Sequence, residues 1–343
     1  MIYFFFEHFW SFVYFGLLFL LFIILMYNTI IIVGGTQIAI VERRWFGRNT
    51  PSGRVVAMAD EVGIQARTLG PGLHFLIPFL YKATKAPFTV INEDQVGIIE
   101  SIDGSAIPPG KIFAKVVTGH DSFQNGEAFL QNGGEKGPQI EILPPGNYRI
   151  NPVLFKVRKL PCIVIDKGKI GLVTSMDGEP ISVGRLLARK VEGHSKFESG
   201  EMFLKNHGQK GPQIEILLPG TYRVNTDLFR VDVREATVVP SGKVGLITAL
   251  DGEPLPETEY VAKAVTGHND YQDASKFLGA GGQRGPQFDV LKPGTYYINS
   301  LMFQLEFDDV AVVERGQVAV VISNVGEEPA QVKQIIEDAA KLE

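Results

Sequence analysis

The sequence predicts an α+β protein that is mainly β: an N-terminal transmembrane helix followed by tandem small β-rich domains with short helices. Three observations carry this expectation. A long uncharged apolar run opens the chain. A 74-residue block then recurs without insertion, and Asp-Gly and Pro-Gly turn signals punctuate short apolar runs within it.

Residues 9–33 contain no Asp, Glu, Lys or Arg. A helix of that length spans roughly 37 Å, more than the roughly 30 Å of a bilayer's hydrocarbon core. Trp10, Tyr14 and Tyr27 suit the two interfaces, and Gly34-Gly35 ends the segment. A cleaved signal peptide fits less well. No Lys or Arg precedes the run, the run is too long, and no small-x-small site follows it. Arg43, Arg44 and Arg48 follow the run closely. By the positive-inside rule they place a single-pass protein in the cell (inner) membrane with its bulk in the cytoplasm.

The repeat is read directly. Gly97, Asp103-Gly104, Gly119-His120, Gly137-Pro138-Gln139 and Pro145-Gly146 return as Gly171, Asp177-Gly178, Gly193-His194, Gly211-Pro212-Gln213 and Pro219-Gly220. They return again as Gly245, Asp251-Gly252, Gly267-His268, Gly285-Pro286-Gln287 and Pro293-Gly294. A 74-residue period exceeds the usual 20–50 residues of solenoid repeats, so each block reads as a small domain.

Within a block, Asp-Gly predicts a hairpin turn, because glycine accepts the positive φ of a type I′ turn. Residues 112–117 read as the next strand, and Asp121 as the N-cap of a short helix reaching toward Leu130. Phe123, Ala128 and Phe129 are placed toward the sheet. Residues 139–143 alternate apolar and polar like a half-buried strand, and Pro145-Gly146 suits a type II turn. A last strand runs over 154–165.

Ahead of the first full block lies a partial one, in which Pro71-Gly72 stands 74 residues before Pro145-Gly146. After the third, Gly316-Gln317-Val318-Ala319-Val320-Val321 opens a fourth. That block gives way to residues 330–343, where Val332, Ile335, Ile336, Ala339 and Leu342 share one helical face. The expected division is 1–35 anchor, 36–92 opening module, 93–166, 167–240 and 241–314 repeats, and 315–343 partial repeat with amphipathic helix.

The net charge of −5 over 343 residues argues against a nucleic-acid partner. Cys162 is the only cysteine, which excludes an intrachain disulfide and reads as a small core residue. His120, His194 and His268 invite a metal reading, but each block supplies one histidine where a zinc site needs four converging ligands. A hydrogen bond at the start of the helix is the preferred role. The glycine-rich loops 133–137 and 279–285 match neither a P-loop nor a dinucleotide fingerprint and read as backbone turns. Lys136, Lys210 and Arg284 recur before each Gly-Pro-Gln and are candidates for pairing with a neighbouring module or subunit, or for simple solvation. No paired carboxylates or nucleophile–base sets have usable spacing. The expectation is therefore not an enzyme, with no catalytic, cofactor or metal residues.

Two segments resemble a known family. Ala39-Ile40-Val41-Glu42-Arg43-Arg44-Trp45-Phe46-Gly47 and Thr68-Leu69-Gly70-Pro71-Gly72-Leu73-His74-Phe75-Leu76-Ile77-Pro78-Phe79, placed after a hydrophobic anchor, resemble the opening of the SPFH, or band 7, domain of stomatins, prohibitins and flotillins. The 74-residue units look like the tandem flotillin-like extensions of some large bacterial band 7 proteins and are similar, more weakly, to the β-domains of vault shells. The resemblance implies a membrane-anchored homo-oligomeric scaffold. It would form rings or cages that organise membrane lipids, microdomains and membrane proteins, among them a membrane protease. It carries over no catalytic residue. The alternative expectation is an extracytoplasmic stalk or adhesion module.

Overall fold

The computed structural model describes residues 2–323, with side chains of 2–8 and 25–28 outside the description. The chain is mainly β, as its composition of short apolar runs predicts, and its small sheets each hold two to four strands. It divides into two compact bodies. The first holds Met1–Ile163 with Gly193–Asn206 and Thr221–Phe229; the second holds Val164–Glu192, His207–Gly220 and Arg230–Glu343.

Helix α1 covers Ile2–Thr29. The apolar run does not continue it to residue 33. Ile30–Val33 instead forms a strand that pairs antiparallel with Gly72–Phe75. Among the described residues no helix is long and apolar enough to cross a membrane. The expected single-pass anchor is therefore not supported, nor is the inner-membrane, cytoplasm-facing placement that rested on it. The described side chains of α1, residues 9–24, are exposed.

In the first body, Gln95–Ser101 is the central strand of a three-stranded sheet, flanked by Phe155–Pro161 and Gly137–Leu143. It is buried at nearly every position, because it has a neighbour on each edge and packing on both faces. Thr89–Ile91 pairs with Gly146–Tyr148, so the first repeat starts ahead of residue 93. In the second body, Lys243–Ala249 is central between Gly285–Pro286 and Phe303–Asp309, and Thr237–Val239 pairs with Gly294–Tyr296. Lys169–Ser175 is central in the same way, beside Gly211–Leu217.

The opening module shares the sheet of the repeats. Its central strand Gln37–Arg43 lies between Glu61–Leu69 and Tyr81–Pro87. It repeats the pairing of the first repeat down to the irregularity: the register slips between Ile40 and Glu42 as it does between Ile98 and Glu100. Ala39 stands 58 positions before Gly97, whereas Gly63 stands 74 before Gly137. What the module lacks is the helix-bearing stretch between these points. Its bridge joins Ala57 to Gln65, where the repeats join Ala114 to Gln139.

Expectations for the local structure fail in and just after the repeats. Residues 112–117 form no strand, only the single bridge at Ala114. Asp121 is not a helix cap. α2 (Gly126–Gln131) is capped by Asn125, whose side chain accepts from the Ala128 N–H. α3 (Gly200–Lys205) and α4 (Ala274–Gly279) are capped likewise by Ser199 and Asp273. Nor does the fourth block open with a strand: residues 317–323 carry none, and Val318, Val320 and Val321 are exposed. No flanking strand meets them among the described residues. The helix expected over 330–343 lies outside the described residues.

The core crosses the repeat boundaries. One cluster joins Phe123, Phe129 and Phe155 of the first repeat to Val56 and Ala66 of the opening module. A second joins Tyr271, Phe277 and Phe303 of the third repeat to Leu187 and Ile214 of the second. Each buried aromatic contributes roughly 1.5–3 kcal/mol by burial, and the edge-to-face pairs add about 0.5–1.5 kcal/mol.

Candidate functional site

The repeated polar residues gather at two kinds of place. The first is a histidine–aromatic knot. Residues 121–123 all have positive φ (49°, 51° and 63°), one turn of left-handed backbone built without glycine. The same turn recurs at 195–197 and 269–271. Left-handed backbone costs about 1–2 kcal/mol per residue, so other contacts must hold it. His120 does so: its Nδ1 accepts from the Phe123 N–H at 2.9 Å, and His194 and His268 repeat this with Phe197 and Tyr271 at 2.7 and 2.8 Å. In the neutral ring the proton is then on Nε2. That nitrogen meets Glu141 Oε2 at 3.1 Å from His120, and the Val265 carbonyl at 2.8 Å from His268. The three histidines are buried against aromatic rings. Among the described residues no group of three or more His, Cys, Asp or Glu is placed to hold a metal ion.

The second place is the joint between modules. Asp103 does not sit in a hairpin. Its carboxylate is 1% exposed and accepts from the N–H groups of Val55 and Val56 in the opening module, at 2.8 and 2.9 Å. Its other oxygen accepts from the Gly104 N–H. Asp251 binds the N–H groups of Leu186 and Leu187 in the same way, with Arg185 alongside. The glycine signal reflects a close approach: a Cβ on Gly104 would stand 2.5 Å from the Gly134 carbonyl oxygen.

Buried asparagines make the second half of the joint. Asn225 Nδ2 donates to the carbonyls of Gln139 and Ile140, both at 3.0 Å, and Asn299 donates to those of Gln213 and Ile214. Between them the short helices lie on the preceding module: α2 on Glu61–Leu69, α3 on Gly137–Leu143 and α4 on Gly211–Leu217. A small residue faces the contact. A Cβ on Gly126 would stand 2.7 Å from the Ala66 carbonyl oxygen, and the equivalent positions are Gly200 and Ala274.

The glycine-rich loops use their own backbone. The Lys136, Lys210 and Arg284 N–H groups donate to the carbonyls of Ser105, Glu179 and Glu253. The side chains of these three cations are exposed and make no ion pair among the described residues. Cys162 is buried, with its N–H donating to the Asp94 carbonyl. A polar hollow lined by Arg67, Thr68, Asp121, Gln124, Glu127 and Arg149 brings opposite charges together.

The asparagine and aspartate joints went unread in the sequence. The identical spacing of Asp-Gly and Asn in each block was the available signal. No family model matches the chain, and no curated protein matches it.

Proposed function

We propose that the chain is a self-associating structural scaffold of the band 7 kind, whose jointed modules form the wall of a larger ring or cage. The joints support this reading, because the repeated buried polar side chains join module to module. Self-association is carried by one observation, the charge on the outer strands. Phe155–Pro161 exposes Lys156, Lys159 and Arg158, the last paired with Asp227, whereas the equivalent Phe303–Asp309 exposes Glu306, Asp308 and Asp309, the last paired with Lys243. Among the described residues both are edge strands, with one backbone edge unpaired. A basic edge on one copy is complementary to an acidic edge on a second, and like edges repel, which favours a fixed stagger over random stacking.

Crosslinking of the purified chain in mild detergent, followed by electron microscopy, tests the proposal. Discrete large assemblies are expected. A monodisperse monomer across the working concentration range would exclude it.

A further inference from the structure

The third repeat ends the described row with an unfilled joint. In the opening module and the first two repeats, the strand after the glycine loop is long: Glu61–Leu69, Gly137–Leu143 and Gly211–Leu217. Each carries the helix of the next module. In the third repeat only Gly285–Pro286 forms strand, although the block has the same pattern, Gly-Pro-Gln-Phe-Asp-Val-Leu. Phe288 is 65% exposed, where Ile140 and Ile214 are 9% and 4%. The N–H groups of Tyr260 and Val261 stand where Asp251 binds Leu186 and Leu187, and meet no partner among the described residues. The carbonyls of Gln287 and Phe288 stand where Asn299 binds Gln213 and Ile214, and are likewise unmet.

We infer that this face is a docking socket for a further module of the same construction. That module brings a carboxylate to Tyr260 and Val261, a carboxamide to Gln287 and Phe288, and a short helix with a small residue against Phe288. The established joints define this chemistry, since the socket continues them in kind. A second copy of the chain does not supply it. The opening module lacks the helix-bearing stretch, and α2, α3 and α4 already occupy joints. The chain's own fourth block does not bring the carboxylate either: Ser323-Asn324-Val325-Gly326 has Val325 where the repeats have Asp103, Asp177 and Asp251. The occupant is therefore a module carrying both side chains, and binding completes the strand from Gly285 onward.

Two chains test this by hydrogen exchange. In the first, residues 310–343 are replaced by a second copy of residues 236–309. Exchange at 260–261 and 288–290, outside the Gln287 and Leu291 N–H groups that already donate to Ile247 and Gly245, is expected to slow by about tenfold or more, and Asn→Ala with Asp→Ala in the added copy is expected to restore it. A folded added module that leaves both segments unprotected would overturn the inference. In the second, the chain ends at Glu235, which opens the joint of the second repeat. Leu186, Leu187 and the Gly211–Leu217 strand are expected to lose protection while the Gly137–Leu143 strand keeps it. Retained protection of Gly211–Leu217 would overturn the inference even if the added module fails to fold. Loss of self-association in the unextended chain on Phe288→Glu would assign the face to a second copy and overturn it as well.

Discussion

Asn151 Nδ2 donates to the carbonyls of both Gln65 and Ala66, at 3.0 and 3.1 Å, binding the first repeat to the opening module. Its Oδ1 accepts from the Val153 N–H, so both ends of one buried carboxamide are used. Asn151→Leu would leave two buried carbonyls unmet. A loss of about 2–3 kcal/mol is expected in chemical denaturation, against under about 0.5 kcal/mol for Asn147→Ala on the surface.

Asp103→Asn replaces a carboxylate that receives three backbone N–H groups with a carboxamide that has one accepting oxygen and a donor facing donors. Destabilisation of about 2–3 kcal/mol is expected. Faster amide exchange at Val55 and Val56 would locate the effect at the joint.

Gly126→Val forces a branched side chain against Leu154 Cδ2, 2.6 Å from the Cβ position, and against the Ala66 carbonyl oxygen. A loss of about 1–3 kcal/mol is expected. Ala274→Gly, at the equivalent position in the third repeat, is expected to change stability by under about 1 kcal/mol, and thermal unfolding of both variants distinguishes the two contexts.

The left-handed turn predicts a gain. Ser122 has φ 51° and is exposed, so Ser122→Gly removes strain without removing a core contact. A stabilisation of up to about 1 kcal/mol is expected. His120→Leu removes the acceptor for the Phe123 N–H and should cost about 1–3 kcal/mol.

Burial pushes the Tyr271 phenol well above its ordinary value, and the negative charges of Asp289 and Asp270 add to the shift. The fold thus favours the neutral phenol. Its contribution is fully present below the unfolded value of about 10 and is lost as pH rises beyond it. Tyr271→Phe, which installs the residue type of Phe123 and Phe197, is expected to flatten the alkaline loss of stability of the second body. An unchanged alkaline profile would contradict this.

Local patterns were legible and distant partners were not. The alternation over 139–143 located a strand that is observed as Gly137–Leu143, and Phe123 and Phe129 are buried as expected. Asp103-Gly104 announced a special backbone, and Gly104 has φ 138°, but the motif could not say that the carboxylate serves residues 47 and 48 positions away. The opening module looked partial because it lacks the Gly-His block. Gln65, 74 residues before Gln139, marks what the partial block shares with the repeats: both side chains bind the carbonyls two and four residues upstream. An apolar run by itself does not separate a helix from a strand: Ile30–Val33 pairs with Gly72–Phe75 as a strand, with Ile30 and Ile32 exposed and only Val33 buried.

Sedimentation of the purified chain at low and high salt, beside the triple variant Lys156→Glu, Arg158→Glu, Lys159→Glu, tests the self-associating scaffold most directly. Large species at low salt are expected, dissociating as salt screens the edges and absent in the triple variant. A wild-type chain that stays monomeric at every salt concentration, or an assembly indifferent to both salt and charge reversal, would contradict the account.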